Sequence, residues 1–393
     1  MRHGIALAVA LVAAACGPTA GSPPAVQPAT PTAAPPGSGT ASATSRAPSP
    51  PPEPKVPAVR DEVVQSGLSV PWDVTFLPDG RMLVSERVGN LLLFESGEPN
   101  ARRVATLTVP GIRSQEEAGL MGIAVDPKFA SNGFVYACAS RTDQGQWLNQ
   151  ILRFRLEGTV LSFDGYVIRD GMRANSFHDG CRLAFGPDAK LWATMGEAGM
   201  RPLAQDVRSL NGKILRVNTD GTIPDDNPTL PGASTRTAAY SFGLRNPQGL
   251  AFQPGTGRPF AVDHGQDDHD EINQIQAGAN YGWPLQVGPG GGPRGFVDPI
   301  WSSGPAGTLA TSGAAFVEGQ QWGLWSGSLF VATLKQSDLR RFTIDGGVAT
   351  QREVLLDVKY GRLRSPVLGP NGALYVTTSN GSGDRVIRLV ASQ

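Results

Sequence analysis

The sequence predicts an all-β protein, a six-bladed β-propeller preceded by a signal peptide and a disordered linker. Three observations lead to this prediction. A unit made of an apolar strand, a Pro-Asp-Gly-like turn and a second strand recurs six times along the chain. The copies lie roughly 50 to 65 residues apart, a spacing that suits one small antiparallel sheet per copy. No helical pattern of any length separates them.

Composition narrows the class of protein before any motif is considered. The chain has 393 residues, including 33 prolines and 49 glycines, which allows a large core in one or two domains. Its 34 basic and 34 acidic side chains leave no formal net charge, whereas a nucleic-acid binder normally has a basic surplus. We therefore expect no nucleic-acid partner. Three cysteines are too few for a disulfide scaffold.

Residues 1–16 have the pattern of a secretory signal. Arg2 and His3 precede an apolar run from Ile5 to Val12, and three alanines then lead to Cys16. The run is too short to span a bilayer as a helix. Small residues before a cysteine resemble a bacterial lipobox, which predicts lipidation at Cys16; the alternative is a plain signal peptide cut nearby. Either way the mature protein is expected to be exported, to the periplasm or the cell surface.

Residues 17–58 are almost all Pro, Ala, Ser, Thr and Gly. Such a segment cannot bury enough apolar surface to offset its ordering entropy, so we predict a disordered linker. Its prolines would keep it partly extended, which suits a tether between a membrane surface and a globular domain. The propeller domain is then expected to occupy residues 59–393.

Each predicted blade begins with its inner strand. The six copies begin near Trp72, Gly122, Arg182, Gly249, Gly313 and Ser365. The turn after each inner strand has a local cause, because Pro fixes φ while Gly and Asn accept positive φ. Several copies continue into a third strand that carries arginine, as in NQILRFRLEG and SDLRRFTIDGG. A β-sandwich or two β domains is the alternative architecture.

The stretch YSFGLRNPQGL, residues 240–250, stands out within this pattern. It places Arg245, Asn246 and Gln248 directly before the fourth copy, where no apolar period accounts for them. Arg245 offers a planar fork of five donors, and the two amides offer donors and acceptors. His178, in FHDGCRLAF, holds the equivalent place in the third copy. A neutral imidazole is the usual general base, although a lone histidine is more often structural.

Three more cations are expected at the same channel mouth. Lys335 ends the second strand of the fifth copy, and Arg362 and Arg364 stand directly before the sixth. Their alternation puts Arg362 and Arg364 on one side of an extended segment. With Arg245 they make four cations, which repel one another and so predict an anionic ligand with several carboxylates or phosphates. The alternative is a set of scattered surface charges.

A second polar cluster, DHGQDDHDEINQIQAGANY, spans residues 263–281. Carboxylates crowd around Gly265, and oxygen ligands of this kind favour Ca²⁺ over Zn²⁺. The spacing is not that of an EF-hand. His264 and His269 suggest a transition metal as an alternative, but a third soft ligand is missing.

Seven motifs together resemble one family, the soluble PQQ-dependent aldose sugar dehydrogenases, also called the glucose/sorbosone dehydrogenase family. The resemblance covers about residues 62–391. The motifs are, in order, VPWDVTFLPDGRMLVSER, EEAGLMGIAVDPKF, HDGCRLAFGPD, AQDVRSLNGKILRVNTDG, YSFGLRNPQGLAF, DEINQIQAGANYGWP and GRLRSPVLGPNGALYV. Seven motifs in one order are far more specific than any single one.

By this resemblance the propeller binds pyrroloquinoline quinone (PQQ), a tricarboxylate, in a cleft at the mouth. His178 matches the catalytic base of the family, and Arg245 matches an arginine that polarises the quinone oxygen. The remaining matched positions near the cofactor are Glu117, Asn246, Gln248, Lys335, Arg362 and Arg364.

The resemblance also implies Ca²⁺. The backbone carbonyls of Gly265 and Gln266 match the ligands of a catalytic Ca²⁺, and Glu271 and the Tyr281 carbonyl match a structural Ca²⁺ site of shorter members. The implied reaction is hydride transfer from the anomeric carbon of an aldose to C5 of PQQ, while His178 takes the hydroxyl proton. Ca²⁺ and Arg245 would stabilise the oxyanion on the quinone. The product is a lactone, and the electrons pass to an unidentified acceptor.

Three residues depart from the family pattern. Glu117 stands where glutamine is usual, and a carboxylate there could repel PQQ or alter substrate choice. Gln266 replaces a frequent proline, which is harmless if only its carbonyl binds. Cys181 replaces a glycine, and in an exported protein it could pair with Cys138 or remain a buried thiol; we favour the pair. The chain lacks room for the long loops of the dimeric, glucose-specific members, which favours a monomer with broad aldose specificity.

Two other functions fit a propeller with these residues. One is a Ca²⁺-dependent propeller lactonase, which needs acidic and amide side chains at the channel centre but no arginine cluster. The other is a non-catalytic envelope propeller that binds sugar or protein, an alternative that Glu117 keeps open. His178 together with the cations favours the dehydrogenase.

Overall fold

The computed structural model describes residues 53–392, and within that range the predicted six-bladed β-propeller is confirmed. The 24 strands of this range form six four-stranded antiparallel sheets. The predicted signal peptide, Cys16 and residues 17–52 of the predicted linker lie outside the described residues. Before the first strand, the carbonyl of Lys55 already accepts a hydrogen bond of 2.9 Å from the Leu324 N–H.

The first strand, β1 (Ala58–Leu68), belongs to the last blade, and the next five blades follow in chain order. Blade 1 consists of β2 (Pro71–Phe76), β3 (Met82–Glu86), β4 (Asn90–Phe94) and β5 (Arg103–Thr108). Blade 2 consists of β6 (Leu120–Val125), β7 (Phe134–Asp143), β8 (Gln146–Glu157) and β9 (Val160–Ile168). Blade 3 consists of β10 (Leu183–Phe185), β11 (Leu191–Met195), β12 (Lys213–Val217) and β13 (Ala239–Phe242).

The remaining blades complete the ring. Blade 4 consists of β14 (Pro247–Phe252), β15 (Pro259–Asp263), β16 (Glu271–Gln274) and β17 (Trp301–Ser302). Blade 5 consists of β18 (Thr311–Phe316), β19 (Leu329–Thr333), β20 (Leu339–Asp345) and β21 (Val348–Leu355). Blade 6 consists of β22 (Leu363–Leu368), β23 (Leu374–Thr378), β24 (Asp384–Ser392) and the N-terminal β1.

Blade 6 closes the propeller by joining the two ends of the described chain. Strand β1 pairs antiparallel with β24 from Ala58 opposite Ser392 to Leu68 opposite Asp384. One sheet therefore contains the first strand and the last three. Closure of this kind leaves only short, protected sheet edges.

The antiparallel order of each blade decides which loops lie at the mouth. An inner strand begins at the same end of its sheet at which the second strand finishes, because the two run in opposite directions. Residues just before β6, β10, β14 and β22 therefore share one face of the ring with residues just after β3, β11, β15 and β19. We call this face the mouth.

The opposite face carries the turns between inner and second strands. In blade 1, the Gly80 N–H donates to the Leu77 carbonyl at 2.9 Å, and Gly80 has φ of +87°. A glycine is favoured there because residues with a Cβ rarely adopt positive φ. All six predicted inner strands are inner strands of the propeller, namely β2, β6, β10, β14, β18 and β22. The turn signals in the sequence therefore located the blades correctly.

Polar groups cross the central channel below the mouth. Arg182 pairs with Asp73, and its Nη2 donates to Ser365 Oγ at 2.6 Å. Ser365 Oγ in turn donates to the Trp72 carbonyl at 2.5 Å. Towards the far face lies a cavity of about 450 Å³, lined by the inner strands of all six blades. This cavity is separate from the mouth residues described below.

Helices play a small part in the described range. They are one short α-helix, α1 (Phe129–Asn132), and three 3₁₀ turns, at Arg201–Ala204, Gly292–Arg294 and Gln320–Trp325. No helix among residues 53–392 has the length and apolar character needed to cross a membrane.

A disulfide joins blades 2 and 3. Cys138 lies in β7, Cys181 lies just before β10, and their Cα atoms are 6.2 Å apart. Both residues are fully buried. The pairing favoured from the sequence is therefore present, and it ties the segment that follows His178 to the neighbouring blade.

Removing this disulfide should destabilise the protein by about 2–4 kcal/mol, because the crosslink restricts the unfolded chain. The variant is Cys138→Ala combined with Cys181→Ala, and the measurement is the free energy of unfolding from urea titration. Reductant should lower the stability of the wild type to that of the variant and leave the variant unchanged. Equal stability of the oxidised wild type and the variant would contradict this expectation.

Candidate active site

His178 forms a close pair with a buried carboxylate. The loop before β10 presents the histidine, with φ of +62°, and the loop after β11 presents Glu197. His178 Nδ1 lies 2.7 Å from Glu197 Oε1. The Glu197 side chain is 1% exposed and that of His178 is 15% exposed, so the pair lies at the edge of solvent with its acidic member inside.

Glu197 is not among the site residues predicted from the sequence. It follows the second strand of the blade that His178 enters, and the shared face of these two loops brings them together. An acidic residue after the second strand of a histidine-bearing blade is the signal that could have identified it. Its backbone N–H also donates to the Arg245 carbonyl at 2.8 Å, which couples it to the next mouth loop.

Asp263, the first carboxylate of the 263–281 cluster that was predicted to bind Ca²⁺, holds the backbone of the predicted Arg245–Asn246 pair. Its Oδ2 accepts the Arg245 N–H at 2.9 Å, and its Oδ1 accepts the Asn246 N–H at 2.7 Å. Burial raises the pKa of this carboxyl to about 6, despite these two hydrogen bonds. Because Asp263 is the last residue of β15, the fourth blade itself positions both residues.

The Arg245 guanidinium is fixed by the segment that follows β15. Its Nη1 donates to the carbonyls of His264 and Gly265 at 2.8 and 2.9 Å. The guanidinium carbon lies 5.5 Å from the ring centroid of Trp283, within the range of a cation–π contact. Arg245 is 8% exposed, so it lies below the mouth surface.

Glu117 links the histidine loop to the arginine loop. Its Oε2 accepts the His178 N–H and Asn246 Nδ2, both at 3.1 Å. Asn246 Oδ1 also accepts the Gly180 N–H at 3.1 Å. Burial alone would raise the pKa of Glu117, but His264 and His178 lower it overall. The structure thus places Glu117, Asn246 and His178 together.

Gln248 and Arg364 lie deeper than the sequence suggested. Gln248 Oε1 accepts Ser312 Oγ and Arg364 Nη1, both at 2.9 Å. Arg364 Nε donates to Ser379 Oγ at 3.2 Å, and Arg364 is 2% exposed. Both side chains therefore brace the channel wall beneath the mouth, whereas Lys335 and Arg362 are exposed.

Among the cationic side chains near the mouth, several have no hydrogen-bond or ion-pair partner within the described residues, and these include Arg87, Lys335 and Arg362. Arg87 was not predicted; it follows β3, and its buried Nε has no partner within residues 53–392. Arg87 interacts electrostatically with both Glu117 and Arg362. Lys335 N–H donates to the Leu309 carbonyl, and Leu309 N–H donates to Asp270, beside the Gly265 loop. Uncommitted donors of this kind fit a ligand with several carboxylates, as PQQ has.

The predicted calcium ligands line one small cavity. Gly265, Gln266, Glu271 and Tyr281 surround a space of about 20 Å³ together with Arg245 and Asp263. This volume suits a single water molecule or small ion, and a buried carboxylate with backbone carbonyls suits Ca²⁺. Arg245 Nη1 already donates a hydrogen bond to the Gly265 carbonyl oxygen. A bound cation would therefore share that oxygen with the guanidinium.

Glu271 is the one predicted side-chain ligand in this cavity. Its Oε1 accepts the Gly288 N–H and its Oε2 accepts Asn273 Nδ2, both at 3.1 Å. Burial, with Asp263 and Asp270 nearby, raises its pKa to about 8. A cation in the cavity would favour the ionised carboxylate. Within residues 53–392, no group of three or more His, Cys, Asp or Glu side chains is arranged to hold a metal, so backbone carbonyls would have to supply the remaining ligands.

Asp179 is a buried acid directly after the histidine. Its Oδ1 accepts the Asn175 N–H at 3.0 Å and Asn149 Nδ2 at 2.8 Å. Its Oδ2 is buried and has no partner in the described part of the chain. Burial raises its pKa from an ordinary 3.8 to about 8.

This shift predicts how an Asp179→Asn variant behaves with pH. The folded state holds the Asp179 proton more tightly than the unfolded chain, so this group lowers stability as pH rises from about 4 to about 8. Asparagine keeps the acceptor and carries no charge. The stability of the variant relative to the wild type, measured by thermal unfolding, should therefore increase between pH 5 and pH 8 and stay constant above pH 8. Parallel curves for the two proteins would show that Asp179 does not titrate in this way.

Comparison with protein families matches residues 68–388 to the Glucose / Sorbosone dehydrogenase family. An Escherichia coli protein, aldose sugar dehydrogenase YliI, is 32% identical over 345 residues, which cover 83% of this chain and 91% of that protein.

Solved structures agree with this match. The PQQ-bound form of an aldose sugar dehydrogenase from Streptomyces coelicolor superposes with a TM-score of 0.74 and 35% identity, covering 86% of this chain and all of the other. The apo-form of the soluble aldose sugar dehydrogenase from Escherichia coli gives a TM-score of 0.75 at 30% identity, covering 84% and 99% of the two chains.

Proposed function

The chain belongs to the glucose/sorbosone dehydrogenase family, and we propose that it is a PQQ- and Ca²⁺-dependent dehydrogenase that oxidises aldose sugars at the anomeric carbon to lactones. The observation that carries this proposal is the His178–Glu197 pair, beside mouth cations that have no partner among the described residues. PQQ in the Streptomyces coelicolor relative supports the choice of cofactor.

His178 would act as the general base. A carboxylate 2.7 Å from Nδ1 favours the tautomer that carries its proton on that nitrogen. The lone pair of Nε2 is then available for the proton of the sugar's anomeric hydroxyl. As the imidazole becomes positively charged, the buried Glu197 carboxylate stabilises it without taking the proton. Glu197 is thus a positioning residue.

Arg245 would provide fixed positive charge next to the base. Asp263 holds its backbone and two carbonyls hold its Nη1. Little reorganisation is needed when negative charge develops nearby, which is the condition for effective electrostatic stabilisation. Oxidation of the sugar removes one hydride from the anomeric carbon and one proton from its hydroxyl.

Bound PQQ would supply an electrophilic quinone that accepts the hydride, and bound Ca²⁺ would supply Lewis acidity. Arg87, Lys335 and Arg362, which have no hydrogen-bond or ion-pair partner within residues 53–392, would hold the cofactor carboxylates. The carbonyls of Gly265 and Gln266 would hold the metal ion. Glu117 keeps a negative charge beside the base, and its hydrogen bonds to the His178 and Asn246 loops fix both.

The same proposal includes the protein's place in the cell. The pattern of residues 1–16 supports export and lipidation at Cys16, which would hold the enzyme in the periplasm or at the cell surface. The lack of room for the long loops of dimeric members supports a monomer. Electrons would then pass to a separate acceptor. A Ca²⁺-dependent lactonase is less well supported, because the uncommitted cations at the mouth have no role in it.

Dye reduction tests the proposed activity. The purified protein is mixed with PQQ, Ca²⁺, an artificial electron acceptor and each of a panel of aldoses, and lactone formation is measured in parallel. We expect dye reduction that disappears when PQQ is omitted or Ca²⁺ is chelated. Absence of turnover with every aldose, despite bound PQQ, would contradict the proposed reaction.

A further inference from the structure

We infer that the mouth contains a second sugar-binding subsite, beside the His178–Glu197 pair, that accepts the remaining residues of an oligosaccharide whose reducing end is oxidised. This inference rests on the proposed function for the reaction but on separate residues for binding. It assigns the substrate class as oligosaccharides with a free reducing end.

An unusually long hairpin builds one wall of this subsite. In each of the five other blades the second strand has five residues. In blade 2 the second strand, β7, has ten residues, and the third strand, β8, has twelve. Ala139 pairs with Leu120 at the start of β6, so the pairs from Ser140–Asn149 to Asp143–Gln146 project past the mouth edge of the sheet.

The hairpin tip is fixed in place. Gln144 and Gly145 form its two-residue turn with φ of +48° and +78°, as a type I′ turn requires. The Arg113 guanidinium carbon lies 3.7 Å from the centroid of the Trp147 ring. Arg169 pairs with Asp143 at 3.1 Å. Because these contacts already order the hairpin tip, ligand binding would cost little conformational entropy there.

Beneath the hairpin tip lies a cavity of about 490 Å³. It lies within the range of about 300–1,000 Å³ typical of ligand pockets. Its lining residues are Gln146, Trp147, Arg173, Ala174, Asn175 and Met200. An indole and a thioether offer apolar contact to the C–H faces of a sugar ring, while amides and a guanidinium offer hydrogen bonds to its hydroxyls.

The cavity lies next to the loops that carry the catalytic pair. Asn175 Nδ2 donates to the Ala198 carbonyl at 3.0 Å, and the Ala198 N–H donates to the His178 carbonyl at 2.9 Å. The Met200 N–H donates to the Glu197 carbonyl at 2.9 Å. Phe177 is 38% exposed, and its ring centroid lies 4.8 Å from that of His178. These contacts place the cavity beside the histidine loop, and the Phe177 ring offers a further apolar surface next to His178 for a chain of sugars that enters the cavity.

Two measurements on Trp147→Ala test the subsite. The first is binding, by calorimetry, of the alditols of maltotriose and cellotriose, which have no anomeric carbon to oxidise. We expect at least one alditol to bind the wild type, and to bind Trp147→Ala roughly 5- to 10-fold more weakly, as loss of one aromatic contact predicts. Trp147→Phe should retain most of the affinity.

The second measurement is kcat/KM for the trisaccharides relative to glucose. In Trp147→Ala this ratio should fall by a similar factor, through KM rather than kcat, because Trp147 does not touch the reacting carbon. Phe163→Ala is the matched control, since Phe163 is 50% exposed on the outer strand of the same blade; it should change neither binding nor the ratio.

The outcomes separate the subsite from the reaction. Trp147-dependent alditol binding in a protein that oxidises no sugar would support the subsite and contradict the proposed function. Sugar oxidation with no alditol binding, and with a ratio that Trp147→Ala leaves unchanged, would overturn the subsite and leave the reaction standing.

Discussion

Replacing His178 by alanine is expected to lower kcat for aldose oxidation by roughly 10²- to 10⁴-fold, the usual contribution of a positioned general base. PQQ should bind as before, because no predicted contact to its carboxylates comes from this ring. The measurement is dye-coupled turnover, with PQQ affinity determined on the same samples from absorbance. Unchanged turnover would reject His178 as the base.

His178→Asn is the matched variant for this test. His178 has φ of +62°, a conformation that asparagine tolerates better than alanine. Both variants keep the backbone N–H that donates to Glu117. Equal losses in the two would therefore point to the missing imidazole, whereas a loss in the alanine variant alone would point to backbone strain.

Glu197→Gln separates positioning from base chemistry. Glutamine can still contact Nδ1, but it carries no charge to stabilise the imidazolium. We expect a smaller loss of kcat than in His178→Asn, because the imidazole is still present to take the proton and only the charge that stabilises it is lost. A loss of kcat as large as in His178→Asn would contradict the role of Glu197 as a positioning residue.

The second large effect concerns the cations at the mouth. Arg362→Ala combined with Lys335→Ala should weaken PQQ binding by at least tenfold, because each charge-assisted hydrogen bond contributes about 1.5–3 kcal/mol. Both side chains are exposed and have no partner in residues 53–392, so their removal should leave the fold intact. Absorbance titration with PQQ measures the affinity.

Arg60→Ala is the control for loss of charge alone. Arg60 is exposed on β1, the outer strand of the blade that carries Arg362. Its removal should leave PQQ affinity unchanged. Arg364 is a poorer choice for this test, because it also supports Gln248 and Ser379 inside the channel wall. Unaltered affinity in the Arg362–Lys335 variant would place the cofactor elsewhere.

The sequence predicted the blades well because their signals are local. A proline or glycine in each turn and the alternation of each strand can be read without knowing what packs against them. The order of loops around the mouth then follows from six antiparallel sheets. His178, Arg245 and Asn246 were found in this way, and the structure brings them together through Glu117 and Asp263.

Depth and pairing could not be predicted in the same way. Alternation placed Arg362 and Arg364 on one side of a segment, but only the packed ring shows that Arg364 is buried while Arg362 is exposed. Glu197 and Arg87 were missed because each follows a second strand, and their place beside the mouth follows from the blade topology and not from their neighbours in sequence. The Cys138–Cys181 pair likewise depends on how closely two blades pack.

One anaerobic turnover without a dye tests the proposed sugar oxidation most directly. Protein loaded with PQQ and Ca²⁺ is mixed with excess aldose, and the absorbance of the bound quinone is followed while lactone is quantified. We expect reduction of the bound quinone with one lactone formed per PQQ, and reduction at least roughly 10²-fold slower in His178→Asn. A quinone that stays oxidised in the wild type, although it is bound and every aldose of the panel has been tried, would contradict the assignment of this mouth as a sugar-oxidising site.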